Sequence, residues 1–149
     1  MHKITYKNIH NRFKLNGIHI SRKEMFYVAY NFIKEGKPFE QHIGTFLLDW
    51  FDEKSYIELS TSGTTGVPKV IRIEKQAMLD SALATGDFFG LEPGDTMLHC
   101  LPTNYVAGKM MWVRSFILGL DMKFVEPTSN PLEKIDENFD FCAMVPLQA

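Results

Sequence analysis

Apolar residues recur with a helical period in several stretches of the chain, and with a strand-like period in the stretches between them. After Ser21, the residues Phe26, Ala29, Tyr30 and Ile33 mark one helical face. SRKE, from Ser21 to Glu24, has the spacing of a capping box, and Gly36 stops the pattern. A second helix is predicted from near Pro38, because proline suits a first helical turn. Its Ile43, Phe46, Leu47 and Trp50 fall at i, i+3, i+4 and i+7. Ahead of both, the stretch up to Ile20 has no clear period, and RFKLNGIHI admits a short hairpin around Asn16-Gly17.

Further along, SYIELS alternates like a strand and VIRIEK alternates again, so the loop between them is expected to join two strands. Lys75 to about Phe89 reads as a helix, and EPGD marks a turn. TMLHCLP then reads as a strand, VAGKMMWVRSFILG as a helix, MKFVEP as a strand and DFCAMVP as a strand, while PLEKIDENF admits a helix. This alternation predicts an α/β fold of βαβ units, with a mostly parallel sheet covered on both faces. The chain stops at VPLQA, directly after a strand, which raises the expectation of a fragment whose sheet is incomplete at its C-terminal edge.

Composition narrows the partners. A net charge of −2 gives no reason to expect nonspecific binding to nucleic acid or to an anionic membrane. The start, MHKITYKNIHNRF, lacks the apolar core of a secretory signal. MMWVRSFILGL carries Arg114 in its middle and is too short to span a bilayer. A soluble cytoplasmic protein is expected, with Cys100 and Cys142 as buried thiols. His99 reads as a core histidine, and His2, His10, His19 and His42 form no constellation, so no metal ligands are expected from this segment.

The stretch with the most chemistry is STSGTTGVPK, Ser60 to Lys69. Its glycines allow positive φ, which turns successive amides toward one concavity. Thr61, Ser62, Thr64 and Thr65 add hydroxyl donors, Lys69 adds a cation, and no acidic residue interrupts. Composition alone favours an exposed hairpin turn, and the order of residues decides against it. A Walker loop reads GxxxxGK(S/T) and opens a helix, which does not fit here, and neither does a GxGxxG turn.

The residue order resembles the phosphate-binding loop of the adenylate-forming (AMP-binding) superfamily, (S/T)SG(S/T)TGxPK, matched at every position. The resemblance implies that Thr61, Ser62, Gly63, Thr64, Thr65, Gly66 and Lys69 grip the ATP phosphates. Val70 stands where the family usually has glycine. LPTNYVAG, Leu101 to Gly108, resembles the family's LPLFHxxG segment beside the acyl-substrate pocket, with Tyr105 in the usual histidine position. Tyr105 then lines or gates the pocket; the plainer reading is a Tyr packed in a strand-to-helix turn.

LPTNYVAGKMMWVRSFILG, DFCAMVPLQ and the early position of the loop look most like the short o-succinylbenzoate–CoA ligases of menaquinone biosynthesis. That resemblance implies ATP-dependent acid–CoA ligation through an acyl-adenylate, with ATP, Mg²⁺ and CoA serving the complete enzyme and a small carboxylic acid as substrate. Another acyl-CoA ligase, an aryl-acid adenylating enzyme, or a noncatalytic nucleotide-binding module are the alternatives. A dicarboxylate substrate needs a cation for its second carboxylate. Lys109, next to Gly108 at a helix start, is one candidate, and an exposed solvating lysine is the other reading. Arg114 lies about 140° around that helix from Lys109 and is expected to pair or snorkel instead.

The implied layout is a partial N-terminal AMP-binding domain over 1–149. It comprises a helical lead-in (1–52), a phosphate-loop hairpin (53–74) and a βαβ layer (75–149), without the C-terminal half or lid domain. No catalytic residue is assigned within it. An uncompleted sheet of this kind invites self-association.

Overall fold

A computed structural model describes residues 4–61 and 66–149. The chain folds around two sheets. The larger has strand order β2-β1-β6-β5-β7, and the smaller pairs β3 with β4. Strands β1 (Lys14–Leu15) and β2 (Ile18–His19) form the hairpin that the Asn16-Gly17 pair admitted. Asn16 and Gly17 have φ of 50° and 81°, the positive values a tight hairpin turn needs. Beyond the sequence expectation, β1 also pairs in parallel with β6 (Asp121–Phe124), so the lead-in contributes to the main sheet.

Helix α1 (Arg22–Glu35) opens on the expected capping box. The Ser21 hydroxyl accepts from the Glu24 amide, and Glu24 Oε1 accepts from the Ser21 amide. Helix α2 (Pro38–Phe51) buries Ile43, Phe46, Leu47 and Trp50, the four residues of the predicted face. Strands β3 (Tyr56–Thr61) and β4 (Lys69–Glu74) run antiparallel, with Thr61 opposite Lys69 and Ser60 opposite Val70. Helix α3 (Lys75–Phe89) begins directly after β4. Strand β5 (Thr96–His99), helix α4 (Val106–Leu118) and β6 then form a parallel crossover unit. The result is a mixed α/β fold with a mostly parallel main sheet.

Three expectations need correction. PLEKIDENF is a run of turns, held by contacts such as the Ile135 amide to the Leu132 carbonyl. Its apolar residues are few and Leu132 stays exposed, so a short helix there has no face to bury. In DFCAMVP the strand β7 is only Phe141–Cys142, and Cys142 is exposed, unlike buried Cys100. The cover of the main sheet is also uneven. Ring contacts from α1, α2, α3 and α4 reach Phe124 and Phe141 on the face shared with Met97, His99 and Met122. By strand alternation, Lys14, Thr96, Leu98, Asp121 and Lys123 take the other face, where Leu98 is buried and Glu137 meets Lys123.

The core holds Trp50, Trp112, Phe13, Phe46 and Phe116, with Phe116 stacked near Phe13, Phe51 and Trp112. A buried cation joins it to the smaller sheet. Lys75, fully buried, donates from Nζ to Asp52 Oδ1 at 2.8 Å, and its amide donates to the Ser55 carbonyl. Burying one charge without the other costs several kcal/mol, on the order of 3–5, so this pair pins the base of the β3–β4 hairpin.

Candidate functional site

The turn between β5 and α4 is shaped by Gly108. A Cβ on this residue would lie 2.0 Å from the Pro102 carbonyl oxygen, so only glycine lets the turn fold flat against the first helical turn. Thr103 fixes the turn from inside. Its hydroxyl accepts from Trp112 Nε1 (3.2 Å) and bonds His99 Nε2 (3.0 Å), and its carbonyl accepts from Lys109 Nζ (2.8 Å). His99 is the core histidine expected, although its Nδ1 has no partner among the described residues. Burial holds its pKa at about 3, so the ring is neutral.

Lys109 is not the exposed lysine of the plainer reading. It is 8% exposed, and Nζ lies 6.0 Å from the centre of the Phe46 ring. Burial lowers its pKa, opposed by the negative charge of Asp49. Asp49 is raised in turn by burial and by Asp52, with Lys109, Lys54 and Lys75 pulling the other way. Tyr105 caps α4 and is 64% exposed, so it is not a packed turn residue. Arg114 finds no carboxylate among the described residues; its guanidinium sits 6.0 Å over the Phe141 ring, with NH1 3.4 Å from Met111 sulfur.

These residues meet the smaller sheet across an open cleft of about 530 Å³. Tyr105, Lys109 and Asn104 line one side, and Glu58, Leu59, Ser60 and Pro68 of the hairpin line another. Helix α2 supplies the floor through His42, Thr45, Phe46 and Asp49, which fall at i, i+3, i+4 and i+7. Ser60 and Pro68 flank the Ser/Thr/Gly loop, so both sequence segments open on one space. A larger depression, about 740 Å³ along Asn8 to Glu24, holds neither segment.

Of the ten candidate residues, Tyr105 and Lys109 line the cleft, and Gly108 builds its turn. Thr61 closes β3 opposite Lys69. Gly66 has φ of 78°, the region glycine tolerates, as the nest reading requires. Ser62, Gly63, Thr64 and Thr65 lie outside the described residues. His42, Asp49 and Thr103 were missed by sequence reasoning. The polar period beside the apolar face of α2 was the available sign for the first two. Nothing in sequence marks Thr103 as the hub of three contacts. His42, read as belonging to no constellation, lines this cleft.

Residues 55–147 match the family model described as AMP-binding enzyme. The chain belongs to the AMP-binding enzyme family. Among solved structures it is similar to an acyl-CoA synthetase (AMP-forming)/AMP-acid ligase II-like protein from Dyadobacter fermentans. The two share 36% identity and a TM-score of 0.68, over 82% of this chain and 35% of that one. The chain therefore spans about a third of that relative's length, and its α/β architecture resembles the N-terminal part of the synthetase. A second similar structure, ATP bound MatB from Rhodopseudomonas palustris, is 24% identical with a TM-score of 0.42, over 48% of this chain and 15% of that one. No curated protein matches the chain.

AMP-binding enzymes use ATP. Among the described residues of this member, no group of three or more His, Cys, Asp and Glu side chains is arranged to hold a metal ion. No helix is long and apolar enough to cross a membrane.

Proposed function

We propose that this chain is the N-terminal part of an ATP-dependent acid–CoA ligase acting through an acyl-adenylate, with o-succinylbenzoate as the acid. The observation that carries the reading is the shared cleft, where the flanks of the Ser/Thr/Gly loop face Tyr105 and Lys109. In this reading Thr61, Ser62, Gly63, Thr64, Thr65, Gly66 and Lys69 hold the β- and γ-phosphates through amides, hydroxyls and one cation. The acid approaches from the Tyr105 side, and one carboxylate oxygen attacks the α-phosphorus as pyrophosphate leaves. CoA thiol then displaces AMP on the acyl carbon. Mg²⁺ supplies charge neutralisation for the phosphates in such chemistry, and the described residues offer no cluster to hold it.

Lys109 supports the dicarboxylate assignment. An ammonium has three donors, and the Thr103 carbonyl takes one of them. Lys109 lines the cleft, and the opposite charge of Asp49 works against the lowering of its pKa by burial. A second carboxylate of the acid fits that position, whereas a fatty acid presents nothing to it.

The test is ATP–pyrophosphate exchange by the full-length protein across aryl, dicarboxylic and fatty acids. Exchange is expected with o-succinylbenzoate. Lys109→Met is expected to raise its KM by about tenfold to a hundredfold, as for loss of a charged hydrogen bond, with little change for monocarboxylates. Exchange with long-chain acids alone would remove the menaquinone assignment. An unchanged KM in the Met variant would remove the role of Lys109.

A further inference from the structure

The two thiols have no part in the cleft, yet the fold brings them together. Cys100 follows β5, and Cys142 lies in β7, the neighbouring parallel strand. Their Sγ atoms are 3.8 Å apart and neither is in a disulfide. The pair is asymmetric: Cys100 is buried and Cys142 exposed. The contact between the two thiols, in which either sulfur can donate, pulls the Cys142 pKa below its ordinary value and raises that of Cys100. The accessible sulfur is therefore the easier one to ionise, with a protonated thiol beside it.

We propose that Cys142 and Cys100 form a reversible thiol-oxidation site, in which a hydroperoxide oxidises Cys142 and Cys100 resolves it to an intramolecular disulfide. In the first step the Cys142 thiolate attacks the peroxide O–O bond. One oxygen stays on sulfur as sulfenic acid, and the other leaves as hydroxide or alkoxide. In the second, Cys100 sulfur attacks Cys142 sulfur, the S–O bond breaks, and the hydroxyl leaves with the Cys100 proton as water. Hydrogen peroxide thus takes two electrons from two thiols and yields two waters. A dithiol reductant reverses the bond by exchange.

Closure asks for movement from 3.8 Å to a bond of about 2.05 Å. Cys142 sits opposite Leu98, two residues short of Cys100, so the edge strand must slide toward Cys100. Strand β7 is two residues long and pairs with β5 on one side, so few ladder bonds resist a shift. Cys100 is also tied onward. Its carbonyl accepts from Gln148 Nε2 at 2.9 Å, and the chain runs directly from it into the turn that Gly108 and Thr103 hold.

The test uses the full-length protein, reduced and folded, then treated with hydrogen peroxide. Residual thiols are alkylated after denaturation and mapped by peptide mass spectrometry, which is independent of any ligase assay. The expected product links the Cys100 and Cys142 peptides within one molecule, about 2 Da below the reduced pair, and dithiothreitol reverses it. In Cys100→Ser the link is lost and dimedone labels Cys142 as sulfenic acid. Cys142→Ser, at an exposed position, leaves Cys100 alkylatable throughout. Three results would overturn the proposal: full alkylation of both thiols after peroxide, Cys142 driven to sulfinic acid while Cys100 stays a thiol, or links only between molecules.

Discussion

The two walls of the cleft are built differently. On the α4 side Tyr105 is exposed, but the turn behind it is held from several directions: Gly108 against a carbonyl, Thr103 by three partners, Trp112 fully buried. On the hairpin side β4 is almost wholly exposed, and what fixes it is a backbone ladder to β3, where Ile57 is the one fully buried residue among those described. In the proposed reading, the wall packed into the core suits recognition of an acid's shape, and the wall held by backbone pairing suits a phosphate grip that must let its product leave.

That comparison predicts a steep gradient of mutational cost. Gly108→Ala should be the most damaging change, because the atom it meets is backbone and cannot rotate away. A loss of about 3 kcal/mol is expected, read as a drop in urea midpoint, together with lost activity of the full-length protein. A neutral outcome would mean that the turn is not fixed at all.

The next effect is a dependence on pH, from the same wall. Folded His99 sits at about 3 against 6.5 for an ordinary imidazole. Between those values the unfolded chain binds a proton that the folded chain refuses. Stability is therefore full above 6.5 and falls as the pH drops toward 3. Urea midpoints at neutral and mildly acid pH should differ in the wild type, and His99→Gln should shrink that difference. An equal difference in both would place the titrating group elsewhere.

The smallest effect belongs to the hairpin. Arg72 reaches Glu58 at 3.4 Å and stacks 4.4 Å over Tyr56, but both partners of the ion pair are about half exposed or more. Arg72→Ala should cost about 0.5 kcal/mol or less, measured by thermal melting, and added salt should erase it. A large loss there would erase the contrast between the walls.

Much of this was legible in the chain, for reasons that vary by element. Helices α1 to α4 announce themselves through period, cap and stop: Ser21 with Glu24, Pro38, and the glycines after α3 and α4. The loop between two alternating strands was equally clear. Strand β1 was not assigned to the main sheet, because two residues carry no period and their partner lies near the other end of the chain. The polar floor of the cleft stayed hidden as well. His42 belonged to no constellation and Asp49 to no motif, and the packing of α2 against α4 and β3 brings them to one cleft.

The clamp between Asp52 and Lys75 makes the hairpin a cassette. Both ends of the segment are gathered at one buried point, just before β3 and just after β4. Closing a loop costs free energy only logarithmically in its length, about 0.6 kcal/mol for each doubling. Residues added or removed at the tip therefore leave the body of the protein almost untouched. The tip can be exchanged, lengthened or retuned while the wall built on Gly108 and Thr103 stays as it is.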